Sequence, residues 1–420
     1  MRGGRSPDNT MKFRFPLLVV ALISLAIASV TGANDERPKN APAVEIVSRD
    51  AIYSIDDQVT SPNNQVHFPF MFEAADGKWY MTLREGPHVW GPNNTGLPLD
   101  NESRSLFASD RVQTVYSPDQ GESWRPWAGL KAEDTWLRFF RTQLPDGSMV
   151  SPGYRFREWE PDPDGGIVVS LTLRFSHDGG ATWEKQSREI RRMPFAQPVK
   201  TITAVTWGHV LPVTSERLLL AVYGRPPESI DARWGYGMGV LASDDGGDHW
   251  RFESWISRGD DVGSEGPSET DLVHFGDGRL MAIFRTGTRG SDGAVDRPVP
   301  SALHVAHSAD GGKTWTPPTA TPFAGGVSPQ LLRLRSGLLV LSYGARTEDG
   351  DSVRVHTSAD EGRTWSDALV LYVGPGSGYT DMTELADGRF QIVYDESRFY
   401  RWDPEMDRNE VIRVILQERR

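Results

Sequence analysis

Two carboxylates, an arginine and a tyrosine recur in one spacing that carries them to strand ends. Glu269 and Arg285 lie 16 residues apart in the segment ETDLVHFGDGRLMAIFR. An alternating run over residues 271–275 meets Gly276-Asp277-Gly278, and a second strand-like run leads to Arg285. Asp-Gly between two such runs signals a β-hairpin, which folds the chain back on itself. Glu269 and Arg285 are therefore expected side by side on one edge, a proton acceptor next to a guanidinium. A guanidinium in that place can hold an anionic group in forked hydrogen bonds. Tyr379 and Asp395 repeat the spacing of 16 around Gly388 in ELADGRFQIVYD.

The elements that position these residues are themselves repeated. The same hairpin recurs around Gly77 (AADGKWYMTLRE), Gly147 (LPDGSMVSPGY) and Gly337 (LRSGLLVLSYGAR), and without the glycine at residues 215–225 (SERLLLAVYGR). Six copies indicate a repeat architecture. Between hairpins a second element appears five times: SPDQGESW, SHDGGATW, SDDGGDHW, SADGGKTW and SADEGRTW, ending at Trp124, Trp183, Trp250, Trp315 and Trp365. In each, the aspartate (Asp119, Asp178, Asp245, Asp310, Asp360) is expected to accept hydrogen bonds from its own turn, and the tryptophan to pack between units. One or two carboxylates ending in an aromatic are too few oxygens for calcium, so no metal or cofactor is expected.

Strand parity then assigns faces. In four-stranded antiparallel units, the glycine hairpin and the Asp turn share one face, and Glu269, Arg285, Tyr379 and Asp395 lie on the other. Six such units closed in a ring make an all-β, six-bladed β-propeller. The last unit ends in EVIRVILQE (residues 410–418), and residues 44–54 are the natural strand to pair with it and close the ring.

Composition sets the class. A formal charge of −12 and the lack of a basic run argue against nucleic acid. With no cysteine there are no disulfides or thiolate metal sites. Lys12 and Arg14 precede an apolar run over residues 15–30, and Thr31-Gly32-Ala33 offers small residues for cleavage. Residues 1–33 are read as a signal peptide of a secreted or periplasmic protein and residues 34–420 as the propeller. No later stretch is long and apolar enough to span a membrane.

Over residues 44–418 the chain resembles the sialidase (neuraminidase) family. SETDLVHFGDGRLMAIFR is similar to the family segment that carries a glutamate and the second arginine of a carboxylate-binding triad. GYTDMTELADGRFQIVYDE resembles the segment that carries the tyrosine nucleophile and a closing acid. The resemblance implies these roles for Glu269, Arg285, Tyr379 and Asp395, and places the third triad arginine at Arg346, with Arg354 as the fallback. It also implies an exo-acting retaining hydrolase that releases a terminal sialic acid or similar anionic sugar from a glycan. The chemistry suits the residue types. A carboxylate nucleophile would face the substrate's own carboxylate, and at about 4 Å with an effective dielectric near 20 the repulsion is roughly 4 kcal/mol. A neutral tyrosine avoids it.

The chain departs from the family pattern in two places. Val66-His67-Phe68-Pro69 stands where a triad arginine is expected, so His67 replaces one clamp, with Arg84 or Arg138 as substitutes. The acid/base aspartate belongs to the segment at residues 86–112, where Asp100 is the choice over Glu102 and Asp110. His88 and Trp90 in that segment, and Trp207 and Trp234, are candidates to face substrate. The competing readings are a sialidase-fold enzyme, hydrolase or lyase, on another acidic polysaccharide, with His67 and Tyr379 sharing proton abstraction in a lyase, and a non-catalytic glycan-binding propeller.

Overall fold

A computed structural model describes residues 40–54, 64–87, 111–131, 139–196, 204–229, 235–289, 298–347, 350–397 and 408–419. Its sheets form six blades. The first strands, Asn64–Glu73, Thr142–Gln143, Ala204–Pro212, Thr270–Gly276, Gly326–Arg333 and Asp381–Glu384, begin blades 1 to 6. Together they line a cavity of about 730 Å³ on the axis. The ring closes as the sequence suggests: Val44–Ser54 runs antiparallel to Glu410–Glu418, with Val44 opposite Glu418 and Ser54 opposite Glu410.

Six apolar clusters hold the blades together; five each join two neighbours, and the sixth gathers side chains of blades 1, 2, 3, 5 and 6, among them Phe68, Trp207, Val327 and Tyr379. Leu219, Ala221 and Val240 of blade 3, for example, pack against Leu272, Leu280 and Phe284 of blade 4. Blade 2 departs from four plain strands. Met149–Pro152 pairs with residues 173–176, and Arg157–Pro161 takes over at residues 167–170 of the same neighbour. The ladder runs one step past Pro152, where the Gly153 amide donates to Thr172 O at 2.7 Å, and the chain then leaves this neighbour at Tyr154, whose carbonyl accepts from the Thr206 amide of blade 3 at 3.1 Å. A further two-stranded ribbon joins Gly287–Arg289 to Pro298–Pro300.

The Asp turns are built alike. Asp310 Oδ1 accepts from Ser308 Oγ at 2.9 Å and from the Thr314 amide at 2.9 Å, and Oδ2 accepts from Thr314 Oγ1 at 2.6 Å. Ser308 Oγ in turn accepts from the Gly312 amide at 2.9 Å. The other four turns repeat the set, with Ser123, Thr182, His249 and Thr364 in the place of Thr314. Indole nitrogens tie blades together: Trp124 donates to Ile52 O at 2.7 Å and Trp315 to Ser254 Oγ at 3.1 Å. Hairpin and Asp turn share a face, since the Gly311 amide donates to Gly278 O at 2.9 Å and the Gly246 amide to Glu216 O at 2.8 Å. In blade 3, where the hairpin glycine is missing, Thr214 Oγ1 caps the turn by accepting from the Arg217 amide at 2.9 Å.

Desolvation alone would raise the pKa of Asp310, but hydrogen bonds from Thr314, Ser308 and the Lys313 amide outweigh it and pull the group down to about 2. A carboxylate lowered in the folded state stabilises the fold above its unfolded value and stops doing so as pH falls through its folded value. The five turns together therefore predict a loss of stability between about pH 4 and pH 2. Asp310→Ala should lower Tm by about 1–2 °C, the effect of losing roughly 1 kcal/mol in a domain of this size. Its kcat and KM should match wild type. A selective fall in kcat with an unchanged melt would place the Asp turns on the wrong face.

Candidate active site

Glu269 immediately precedes the first strand of blade 4, and Arg285 immediately follows the second, Arg279–Phe284. Thr270 lies opposite Phe284, and the ladder runs one step further through the Arg285 amide to Glu269 O at 2.9 Å. The side chains meet as the spacing predicts, with Arg285 Nη1 donating to Glu269 Oε1 at 3.1 Å. Tyr379 lies just ahead of the first strand of blade 6. Its phenol donates to the same Glu269 Oε1, and both residues are buried. One carboxylate oxygen thus receives a guanidinium and the phenol it would deprotonate.

The other oxygen is held from blade 5. The Ser328 amide donates to Glu269 Oε2 at 2.8 Å. This needs a bulge between Val327 and Gln330, with Ser328 in the left-handed region at φ 46°. That conformation is costly for a residue with a side chain, and the hydrogen bond to a carboxylate offsets it. Blade 1 repeats the device between His67 and Phe70, with Phe68 at φ 54°. Phe68 then lies on Tyr379 with ring centroids 4.4 Å apart. Blade 3 uses Gly208, at φ 82°, where a Cβ would come within 2.6 Å of Thr270 O. The bulge beside it turns Trp207 edge-on to Tyr379, with centroids 6.2 Å apart. Trp207 is only 3% exposed, so it is a wall of the tyrosine pocket and not a rim residue.

Arg346 completes this side. Its Nη2 donates to Ser377 O at 2.6 Å, and Cζ lies 6.0 Å from the Tyr379 ring centre. The fallback Arg354 instead donates to Ser352 Oγ at 3.0 Å and lies beside Tyr343. On the opposite flank, Arg84 stands across from His67 in the hairpin register of blade 1. Burial pushes the Tyr154 phenol up to about 12, and the charges of Arg155, Glu269 and Arg84 all act on it. Tyr154 and Arg155 belong to the stretch of blade 2 that turns to blade 3 after Gly153, where Arg155 pairs with Val205.

Two of the expected ligand residues are buried and bonded within the protein. Asp395 is 1% exposed, and its oxygens are taken up inside the protein. Oδ2 accepts from the Ser377 amide and from Ser397 Oγ, each at 2.8 Å, and Oδ1 accepts from Ser377 Oγ. Ser377 Oγ accepts from the Tyr379 amide at 3.2 Å, so Asp395 fixes the backbone that carries the tyrosine. Burial raises the Asp395 pKa, with the serine hydrogen bonds and the charge of His67 acting against the rise. His67 is fully buried and packs edge-on against Phe68, with Nδ1 3.3 Å from Gln65 O. The ring thus packs beside Phe68, and its charge acts on Asp395. Asp100, Glu102, Asp110, His88, Trp90, Arg138 and Trp234 lie outside the described residues.

Glu265 was not singled out in the sequence, although it lies four residues before Glu269. Its Oε1 is 3.3 Å from Arg285 Nη2, and it is buried. Burial pushes its pKa up to about 6, Arg285 and Arg346 pull it down and Glu269 pushes it up. Ser328 and Ser377 carried no sequence signal either, because a backbone amide and a supporting hydroxyl leave no distinctive pattern.

Residues 155–392 match the sequence model of the family described as BNR repeat-like domain. A sialidase of Micromonospora viridifaciens is 33% identical over 204 residues, 43% of this chain and 31% of that protein, so the match spans about a third of the relative's length. Among solved structures, a Dyadobacter fermentans protein of unknown function has a TM-score of 0.61 at 21% identity, covering 90% of this chain and all of that one. The intramolecular trans-sialidase of Ruminococcus gnavus has a TM-score of 0.53 at 15% identity, covering 87% of this chain and 96% of that one. The NanB sialidase of Streptococcus pneumoniae has a TM-score of 0.51 at 14% identity, covering 88% and 70%. At these identities the structural likeness establishes the fold. The chain belongs to the BNR repeat-like family, and its six-bladed propeller has the fold of these sialidase structures.

Proposed function

We propose that this propeller is an exo-acting, retaining glycoside hydrolase that removes a terminal anionic sugar, sialic acid first among them, with Tyr379 as nucleophile. The observation that carries the reading is the buried hydrogen bond from the Tyr379 phenol to Glu269, with Glu269 itself held by Arg285 and the Ser328 amide. A free phenol near pKa 10 is about 0.1% ionised at neutral pH, which corresponds to roughly 4 kcal/mol. Glu269 accepts the proton as the phenolate oxygen attacks the anomeric carbon, and the nearby Arg346 charge favours the phenolate. The aglycone leaves with a proton from an acid in the segment at residues 86–112, for which Asp100 is proposed. Water then cleaves the tyrosyl–sugar bond from the same face with Asp100 as base, which returns the original configuration.

Arg285 and Arg346 are the proposed carboxylate clamp. Arg84 and Arg155, gathered around Tyr154 with Glu269 in range, supply positive charge on the side where the family arginine is missing. The lyase alternative pairs His67 with Tyr379 as proton abstractors, and the Tyr379–Glu269 hydrogen bond favours the hydrolase reading over it. Export through a leader at residues 1–33 is part of the same proposal.

Tyr379→Phe should abolish steady turnover on a fluorogenic sialoside while leaving the melt unchanged, and Glu269→Gln should cost on the order of 10²–10⁴ in kcat. Near-native release of the fluorophore by folded Tyr379→Phe would rule out the tyrosine mechanism. Asp395→Asn separates a positioning role from a substrate contact. As a positioning residue it should lower kcat by about ten- to a hundredfold with KM within about twofold, since only Tyr379 is displaced. A rise in KM at constant kcat would instead mean that Asp395 meets the substrate.

A further inference from the structure

Arg285, one arm of the proposed carboxylate clamp, is already shared by two carboxylates. Its Nη1 donates to Glu269 Oε1 at 3.1 Å, and its Nη2 lies 3.3 Å from Glu265 Oε1. Glu269 has an evident task and two further partners. Glu265 has no part in the mechanism, and its Oε2 is buried without a hydrogen-bond partner among the described residues. The backbone fixes it there: its amide donates to Gly287 O at 3.0 Å, and its carbonyl accepts from the Gly235 and Tyr236 amides at 2.9 Å each. The charged and titratable groups that act on it are Arg285, Glu269 and Arg346, with the Tyr236 phenol alongside.

A planar guanidinium binds a carboxylate best with two parallel N–H donors. Glu269 and Glu265 each face one Nη of the guanidinium, so an incoming carboxylate brings a third negative charge to a single cation in a buried site. Glu269 is needed ionised as the base. We propose that Glu265 is a specificity-determining residue that sets the affinity for anionic sugars, releasing Arg285 and taking up a proton when a ligand carboxylate binds there. This rests on the anionic-sugar reading above and deepens it. Protonated Glu265 no longer competes as an anion for the guanidinium, and its new O–H can donate to the arriving carboxylate. Burial already brings its pKa to about 6, so the proton is taken up within the physiological range. For the sign, a ligand that selects the protonated form binds well below the free-protein pKa and loses about tenfold per pH unit above it.

The test is isothermal calorimetry on the full chain with a 2,3-unsaturated sialic acid analogue, from pH 5 to pH 8.5, in two buffers of different ionisation enthalpy. Wild type should weaken about tenfold per unit above pH 6 and take up close to one proton per ligand at pH 7.5. Glu265→Gln should flatten that slope, abolish the uptake, and bind about a hundredfold more tightly than wild type at pH 8. Parallel pH profiles in the two proteins would overturn the inference while leaving the anionic-sugar reading in place. If Glu265→Gln does not fold, wild type alone decides, since binding without proton uptake also overturns the inference. Failure of both proteins to bind at every pH would remove the anionic-sugar reading and the inference with it.

Discussion

The site depends on carboxylates of one blade accepting backbone amides from the first strand of another. Glu269 Oε2 takes the Ser328 amide, Asp271 Oδ2 the Leu331 amide at 2.9 Å, and Asp381 Oδ2 the Met71 amide at 3.0 Å. Asp271 and Asp381 each stand two residues after a proposed catalytic residue, Glu269 and Tyr379. The two-residue period of a strand points both members of each pair to one side. One member of each pair docks its blade on the neighbour, and the other reaches the site. Arg141 strengthens the joint by donating to Asp381 Oδ2 at 2.9 Å, to Met71 O at 2.6 Å and to Thr383 Oγ1 at 2.6 Å. His209 lies 3.4 Å from the other oxygen of Asp271. Catalytic alignment and blade docking are therefore one network, and the left-handed bulges that present the amides are retained at a cost in backbone strain.

Burial gives the charges in this site their effect. Glu269, Glu265 and Asp395 are all nearly inaccessible to water, yet each meets a different environment. Glu269 has three donors and is suited to accept a proton from Tyr379. Asp395 is locked by two serines and holds the tyrosine's backbone. Glu265 pairs with Arg285 and, among the described residues, has one oxygen without a donor. The three buried carboxyls thus differ in the kind of donor that meets them: a guanidinium, a phenol and an amide at Glu269, serine groups at Asp395, and Arg285 at Glu265.

The opposite face is organised by shorter-range bonds. Each Asp turn closes through bonds spanning five residues, and the indoles of Trp124, Trp183, Trp250 and Trp315 reach only their own turn or the neighbouring blade. Such turns tie the ring without entering the chemistry. This division leaves the first-strand bulges free to be shaped by the site.

Much of this was legible in the sequence because it is local. Hairpins around Gly77, Gly147, Gly337 and Gly388, five Asp turns, and the pairing of residues 44–54 with residues 410–418 follow from turn chemistry and strand alternation. The spacing of 16 alone brought Arg285 to Glu269, since a hairpin of that length admits one register. The tertiary structure decided what no local pattern specifies. Ser328 comes from 59 residues along the chain to hold Glu269, and Tyr379 from 110 residues along to meet it. Whether His67 and Asp395 face ligand or core depends on how bulged strands from different blades pack. Local sequence sets which backbone hydrogen bonds form within a blade. Burial, and with it the role of each charged side chain, is set by the neighbours that ring closure brings together.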